Sequence, residues 1–434
     1  MNMEQADGRA GMRPVWIVCL LVALAPAIMA VTTWTPDGYF SAPLYFWRFL
    51  APPVIAIELA AIAIAWRAGF RPLATILALP GWSSGLIGLL VAIDIGDALL
   101  VAPDPSAALM RSAMTLIHLL FALGVVDLMR ARGFNDYRAL WWALLTGSTL
   151  YVAIMAAFVV AIEQPARFDW LHFGLGVVNI RHSGFYVAVG AAFSFGLAAT
   201  EPDKLRYWLA VGAGTLCCAA LFWSGSRAPL LALLISGVLS AALIPALRTI
   251  RLPLAMILAY AGGGALSLIH APPFGNYGLL RMVKAGAEAT ANEVSSGRVD
   301  LWRGSIRTFL ARPLFGHGEA QFITVVPEAQ SIFYHPHNAL LQSLVQWGGV
   351  GTALFGTLAV MLWWRLLQGT RRAGATAAPA FVAVNTFIVY AMTDGVLFFV
   401  YPMMILAFLL AVGLAASALP RDPDRSGFAA PPGG

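Results

Sequence analysis

Twelve apolar runs alternate with polar breaks along this chain of 434 residues, at 15–33, 45–66, 74–93, 109–129, 139–161, 183–199, 205–223, 228–246, 252–270, 338–364, 377–393 and 399–418. A helix needs about 20 apolar residues to cross roughly 30 Å of hydrocarbon. The pattern therefore predicts an all-α integral membrane protein with about twelve transmembrane helices. Two runs are imperfect: Pro80-Gly81 interrupts the third, and the last is a short return. The first follows Arg9 and Arg13 and contains Ala27-Ile28-Met29-Ala30, which resembles a signal-peptide cleavage site. Its length and the spans after it make it a retained first helix.

The same pattern divides the chain into a nine-helix region at 1–270, a polar loop at 271–337, a three-helix region at 338–420 and a Pro/Gly-rich tail at 421–434, which is expected to be disordered. Within the loop, Pro272-Pro273 ends the ninth helix, because proline lacks a backbone donor and disfavours helix before it. A loop helix is predicted at 279–294 and a second at 298–310, with Trp302, Ile306 and Phe309 on one face and Arg303 and Arg307 on another. Arg312-Pro313 stops the second, Gly316-His317-Gly318 turns, and His335-Pro336-His337-Asn338 leads into the tenth run. Asn338 is placed to cap that helix by accepting an orphan backbone N–H.

Composition agrees: 60% of residues are hydrophobic, against about 45–50% in soluble domains, which excludes a water-soluble globule. Cys19, Cys217 and Cys218 lie inside apolar runs and offer neither a disulfide framework nor metal-ligand spacing. The net charge of +6 would suit nucleic acid if it were clustered, but its arginines are spread over short loops, so nucleic acid is excluded as a partner. Arg9/Arg13, Arg67/Arg71, Arg130/Arg132/Arg138, Lys204/Arg206, Arg248/Arg251, Arg365/Arg371/Arg372 and Arg421/Arg425 all fall on one side of the twelve-helix arrangement. That side is expected to be the cytoplasm, with both termini in it and the 271–337 loop facing outward. Glu58 and His118 fall inside spans, where ionisable groups are expensive unless paired, and a mutual pair is expected. Asp94 and Asp97 fall in an acidic outward segment and are expected to be solvated.

Four pieces, in this order, resemble the O-antigen ligase and polymerase family: Ser224-Gly225-Ser226-Arg227; Ser296-Gly297-Arg298 followed by Trp302; Arg312-Pro313-Leu314-Phe315-Gly316-His317-Gly318; and His337-Asn338 with Leu341-Gln342 and Trp347-Gly348-Gly349. Arg181-His182-Ser183-Gly184 is similar to that family's arginine-containing segment at the end of a mid-chain helix. The resemblance implies a GT-C-like membrane glycosyltransferase. Its donor would be a glycan on undecaprenyl diphosphate, and its acceptor a hydroxyl of another glycan or of the lipid A core. The reaction would occur at the periplasmic face of the inner membrane, without nucleotide sugar, cofactor or metal.

The residues fit that chemistry. A lipid-linked diphosphate needs fixed positive groups on the outward side, and arginine grips phosphate oxygens bidentately. Arg181, Arg227 and Arg298 are the candidates, against the plainer role of arginines whose stems cover apolar surface at the interface. Attack by a hydroxyl needs a base, and histidine titrates near neutral pH; His337 is the candidate. His335, two residues earlier, is an additional imidazole outside the family's pattern, and the sequence leaves open which of the two faces substrate. A His-x-His zinc site lacks further ligands in the sequence. His317 reads as a turn residue or a substrate contact, Asn338 as a cap that also lines the site, and Asp394 as a carboxylate wall or a plain helix end. Trp302 reads as packing before sugar stacking. Ligase and polymerase share these motifs. A flippase for the same lipids is the alternative of another class, but it calls for ionisable groups along a midplane path, whereas these concentrate at one face.

Overall fold

The computed structural model describes residues 3–35, 42–79, 81–173, 175–270, 278–279, 297–330 and 332–416. The predicted loop helix beyond 279 and the tail at 421–434 lie outside the described residues. The elements are α1 (Met3–Thr32), α2 (Ala42–Leu50), α3 (Pro52–Arg67), α4 (Pro72–Leu77), α5 (Gly81–Leu100), α6 (Pro105–Ala131), α7 (Tyr137–Ala161), α8 (Gly184–Thr200), α9 (Lys204–Trp223), α10 (Arg227–Leu243), α11 (Arg251–Leu266), α12 (Arg298–Ala311), α13 (Phe322–Val325), α14 (Ala339–Ala373), α15 (Ala378–Ala391) and α16 (Val400–Ala416). No strand occurs among the described residues.

Among the described residues, eight segments are long and apolar enough to cross a membrane: Met12–Thr32, Phe46–Arg67, Trp82–Leu100, Pro105–Ala131, Tyr137–Ala161, Ile180–Thr200, Lys204–Trp223 and Ala339–Thr376. α10, α11, α15 and α16 are apolar but shorter, at 17, 16, 14 and 17 residues. At a rise of 1.5 Å per residue a 14-residue helix is only about 21 Å long. Leu100 is 87% exposed and Trp66 65%, an apolar surface suited to lipid rather than water. The chain is a multi-pass membrane protein.

The third run departs from expectation. Proline is disfavoured inside a helix, so the helix starts after Pro80 and reaches its length by running on through Asp94 and Asp97 to Leu100. These aspartates are not solvated: they are 6% and 4% exposed. Trp347 Nε1 donates to Asp94 Oδ1 at 3.0 Å. By contrast, the Glu58–His118 pair is present, with His118 Nδ1 2.7 Å from Glu58 Oε1 across α3 and α6.

α8 lies at the centre. Residues 184–199 are all buried, enclosed by α7, α9, α10, α11 and α15. Its many Gly and Ala residues let neighbouring helices approach closely.

α14 is broken at Gly348, whose φ of 63° and ψ of −166° are not helical. The 312–318 turn fills the break. Gly349 and Val350 donate backbone N–H groups to the carbonyls of Pro313 (2.7 Å) and Leu314 (3.1 Å), while His317 and Gly318 donate to Val345 (2.9 Å) and Gln346 (2.8 Å). A Cβ at residue 348 would overlap the Leu314 carbonyl. The Arg312–Gly318 and Trp347–Gly349 motifs are thus two halves of one hydrogen-bonded unit, in which groups orphaned by the broken helix find partners.

Candidate active site

The His335–Asn338 segment is fixed from three sides. Asn338 is the N-cap of α14 as expected: its Oδ1 accepts the Leu341 N–H at 3.0 Å. Its Nδ2 donates to the Met392 carbonyl at 3.0 Å, tying the start of α14 to the end of α15. Trp302 Nε1 on α12 donates to the Pro336 carbonyl at 2.9 Å, so the packing reading of Trp302 has a definite partner. Between these anchors His337 has a φ of 55°, the left-handed region that costs a non-glycine residue of order 1–2 kcal/mol. Such strain persists only where surrounding contacts over-determine it.

Asp394, in the turn after α15, receives His337. Nδ1 of His337 lies 3.0 Å from Asp394 Oδ1, the Gly395 N–H donates to the same oxygen at 2.8 Å, and an Arg298 terminal nitrogen lies 3.9 Å from Oδ2. Burial pushes the Asp394 carboxyl up, but the His337 hydrogen bond and the charges of His337, His182 and Arg298 outweigh it and hold the group well below the usual carboxylate range. An ionised carboxylate only accepts. His337 Nδ1 must therefore carry a proton, and in the neutral ring this leaves Nε2 as the atom with a free lone pair.

His335 has a different role. Its Nδ1 accepts the backbone N–H of His337 at 3.2 Å, which supports the left-handed turn. Its ring packs on Phe398 (4.9 Å between centroids) and Phe399 (5.3 Å), and a Cβ at Gly395 would overlap it. Burial, and then the neighbouring His337, lower its pKa well below the usual histidine value, so the ring is neutral.

The other predicted residues fall in two places. Arg181 lies in a short 3-10 turn entering α8. Its carbonyl accepts from Ser226 Oγ at 3.1 Å, and Ser226 is bonded to Ser224 at 2.8 Å. The two arginine-bearing segments are therefore joined, Arg227 following directly as the first residue of α10. Beside Arg181, the ring of His182 lies 4.6 Å from Phe399, the same ring that contacts His335. His317 is not brought to this cluster. Its Nε2 lies 3.1 Å from the Thr308 carbonyl on α12, which makes it an anchor of the 312–318 turn. Burial lowers its pKa.

One group of His and carboxylate side chains among the described residues could hold a metal ion, and it is this one: ligand atoms of His335, His337 and Asp394 lie within 4.8 Å of one another. Both Nδ1 atoms already have partners, so an ion would need the two Nε2 atoms or would have to part His337 from Asp394. The direct contacts satisfy these groups without one.

A second buried polar cluster lies behind the first. Glu319, from the long loop, accepts from Thr115 Oγ1 at 3.1 Å and faces Asp94 and Arg111. Arg111 donates to the Phe398 carbonyl and its guanidinium lies 4.8 Å from the Phe398 ring, so this cluster backs the His335 wall. Burial and the Asp94 charge push Glu319 from 4.5 up to about 8. A carboxyl that binds its proton more tightly when folded destabilises the fold as pH rises from the unfolded toward the folded value. Apparent thermal stability should accordingly decline between about pH 4.5 and pH 8 and level off above. Glu319→Gln should shrink the difference in melting temperature between pH 5 and pH 8.5, and an unchanged difference would mean that Glu319 does not titrate in that window.

Arg111 is a residue that the sequence motifs do not single out, although it is a charge inside a predicted span as Glu58 and His118 are. The same cost argument applies to Arg111 in the 109–129 run. His182 lies in the Arg181–Gly184 motif, whose resemblance gives it no role, and Glu319 carries no local signal.

These features define an all-helical multi-pass membrane protein with a polar, arginine-flanked His–Asp site at one end of its bundle. Residues 212–356 match the family model described as O-antigen ligase. Over this third of the chain the protein is similar to that family, as its motifs imply, and the match supports a function of O-antigen ligase or polymerase type. The matched stretch contains Arg227, Arg298, His317, His335, His337 and Asn338; Arg181 and Asp394 lie outside it. No curated protein matches the chain.

Proposed function

We propose that this protein is an inverting membrane glycosyltransferase of O-antigen ligase type. It moves a glycan from undecaprenyl diphosphate to an acceptor hydroxyl, on the lipid A core or on a second glycan, at the periplasmic face of the bacterial inner membrane. The observation that carries this reading is the Arg298–Asp394–His337 contact, beside the joined Arg181 and Arg227 segments. His337 Nε2 accepts the proton of the attacking hydroxyl. The new bond forms at the anomeric carbon, from the face opposite the leaving group, while the carbon–oxygen bond to the diphosphate breaks and its electron pair leaves on the phosphate oxygen. Arg181, Arg227 and Arg298 balance the charge that develops there. Asp394 stabilises the imidazolium formed, and His335 holds the turn. In this reading the nine-helix and three-helix regions, 1–270 and 338–420, meet around the 271–337 loop, and both termini are cytoplasmic.

No step uses a metal, which leads to a direct test. Purified protein reconstituted with a polyprenyl-diphosphate-linked glycan and an acceptor should transfer the glycan equally well with and without a chelator. Complete loss restored by a divalent ion would move His335, His337 and Asp394 from base chemistry to metal ligation. In a deletion strain, polymer accumulated on its lipid carrier with bare core marks a ligase, whereas one-repeat products mark a polymerase.

A further inference from the structure

A narrow recess, open to the outside, lies between the 176–186 segment, the end of α2 and the start of α16. Two buried nitrogens on its lining residues have no hydrogen-bond partner, Arg48 Nε and His182 Nδ1. Arg48 is 8% exposed. Its terminal nitrogens donate to the His172 carbonyl at 3.2 Å and the Thr35 hydroxyl at 3.0 Å. These use two of the five guanidinium donors, and no carboxylate pairs with Arg48 among the described residues. A buried cation without an anion is costly at any depth and more so within a membrane span. The remaining wall is largely aromatic, including Phe49, Phe185 and Tyr401. Next to Arg48 in sequence, Phe46 and Trp47 are 51% and 41% exposed, giving the recess an apolar approach.

We propose that this recess is a phosphoryl subsite for an isoprenoid-linked diphosphate, with Arg48 as its cation, His182 as a further donor and the aromatic wall against the first isoprene units. The inference rests on the lipid-linked transferase reading and adds a donor contact from a part of the chain that the family match does not reach. Its position suits that role. The His182 ring touches Phe399, Phe399 touches His335, and the His335 ring lies 4.3 Å from that of His337. A diphosphate held at Arg48 would be separated from the base by two rings, Phe399 and His335. The anion that Arg48 lacks would then be supplied by the substrate.

The test is binding of short soluble probes to the full-length protein in nanodiscs, by calorimetry: farnesyl diphosphate, inorganic pyrophosphate and farnesol, with wild type, Arg48→Gln and Arg48→Lys. Farnesyl diphosphate should bind the wild type and lose at least about tenfold in affinity with Arg48→Gln, the usual scale for a charge-assisted contact. Arg48→Lys keeps the charge without the planar fork and should lose several-fold; it carries the test if the Gln variant does not fold. An Arg48-dependent loss confined to farnesyl diphosphate supports a lipid-linked ligand, and an equal loss for inorganic pyrophosphate supports phosphoryl recognition without a part for the aromatic wall. Unchanged farnesyl diphosphate affinity in both folded variants overturns the subsite while leaving the transferase reading intact. Absence of farnesyl diphosphate binding to the wild type also overturns it, and the glycan-transfer assay then decides separately whether the transferase reading stands.

Discussion

Replacing His337 with alanine lowers glycan transfer by at least about 100-fold, and by as much as about 10⁴-fold, the range that a positioned general base contributes. The loss should appear in kcat with purified, reconstituted protein, because the variant removes the proposed proton acceptor and leaves the arginines proposed to hold donor in place. Folding should survive: the cap of α14 is made by Asn338 and the segment is pinned through Pro336, neither of which uses the His337 ring. Alanine adds only a modest cost at this left-handed position, where histidine is the better-tolerated residue. Near-normal transfer by the folded variant would remove His337 from the chemistry and leave its strained backbone as a structural feature alone.

Changing Asp394 to asparagine should be nearly as damaging, by about 10²–10⁴-fold in kcat/KM, although the side chain keeps its shape. The carboxylate accepts the Nδ1 proton of His337 at 3.0 Å. An amide that keeps its oxygen toward the Gly395 N–H, 2.8 Å from Oδ1 in the wild type, loses the negative charge that stabilises an imidazolium. One that turns its NH₂ toward His337 forces the proton onto Nε2 and blocks the base. Either outcome disables the pair, by the same logic as in the serine-hydrolase triad, where the carboxylate sets the tautomer. Activity within threefold of wild type would show that His337 works without Asp394.

The sequence carried the helices well because membrane spans are set by hydropathy over long windows. It misplaced the third because Pro80 was weighed as an interruption rather than as a start, which left Asp94 and Asp97 outside a helix that contains them. The His337–Asp394 pair was legible as two separate candidates. Their contact joins residues 57 apart in the chain, a pairing that no local pattern encodes. The division of labour between His335 and His337 was not legible either, because it depends on a backbone N–H reaching a ring nitrogen across a left-handed turn. Arg48 and Arg111 were readable in principle as charges in the 45–66 and 109–129 runs. The cost of burying them marks them more strongly than their neighbours in sequence do.

The break in α14 at Gly348 has a mechanical consequence. A bilayer that thins or thickens tilts the helices that cross it, and an unbroken helix would pass that tilt directly to whatever stands at its end. Here the 312–318 turn is bonded to both sides of the break, to Val345 and Gln346 before Gly348 and to Gly349 and Val350 after it, so the short arm that begins at Asn338 meets the longer arm on one braced joint. Tilt of the long arm would therefore reach His337 through a joint that also moves the 312–318 turn, rather than along one continuous helix.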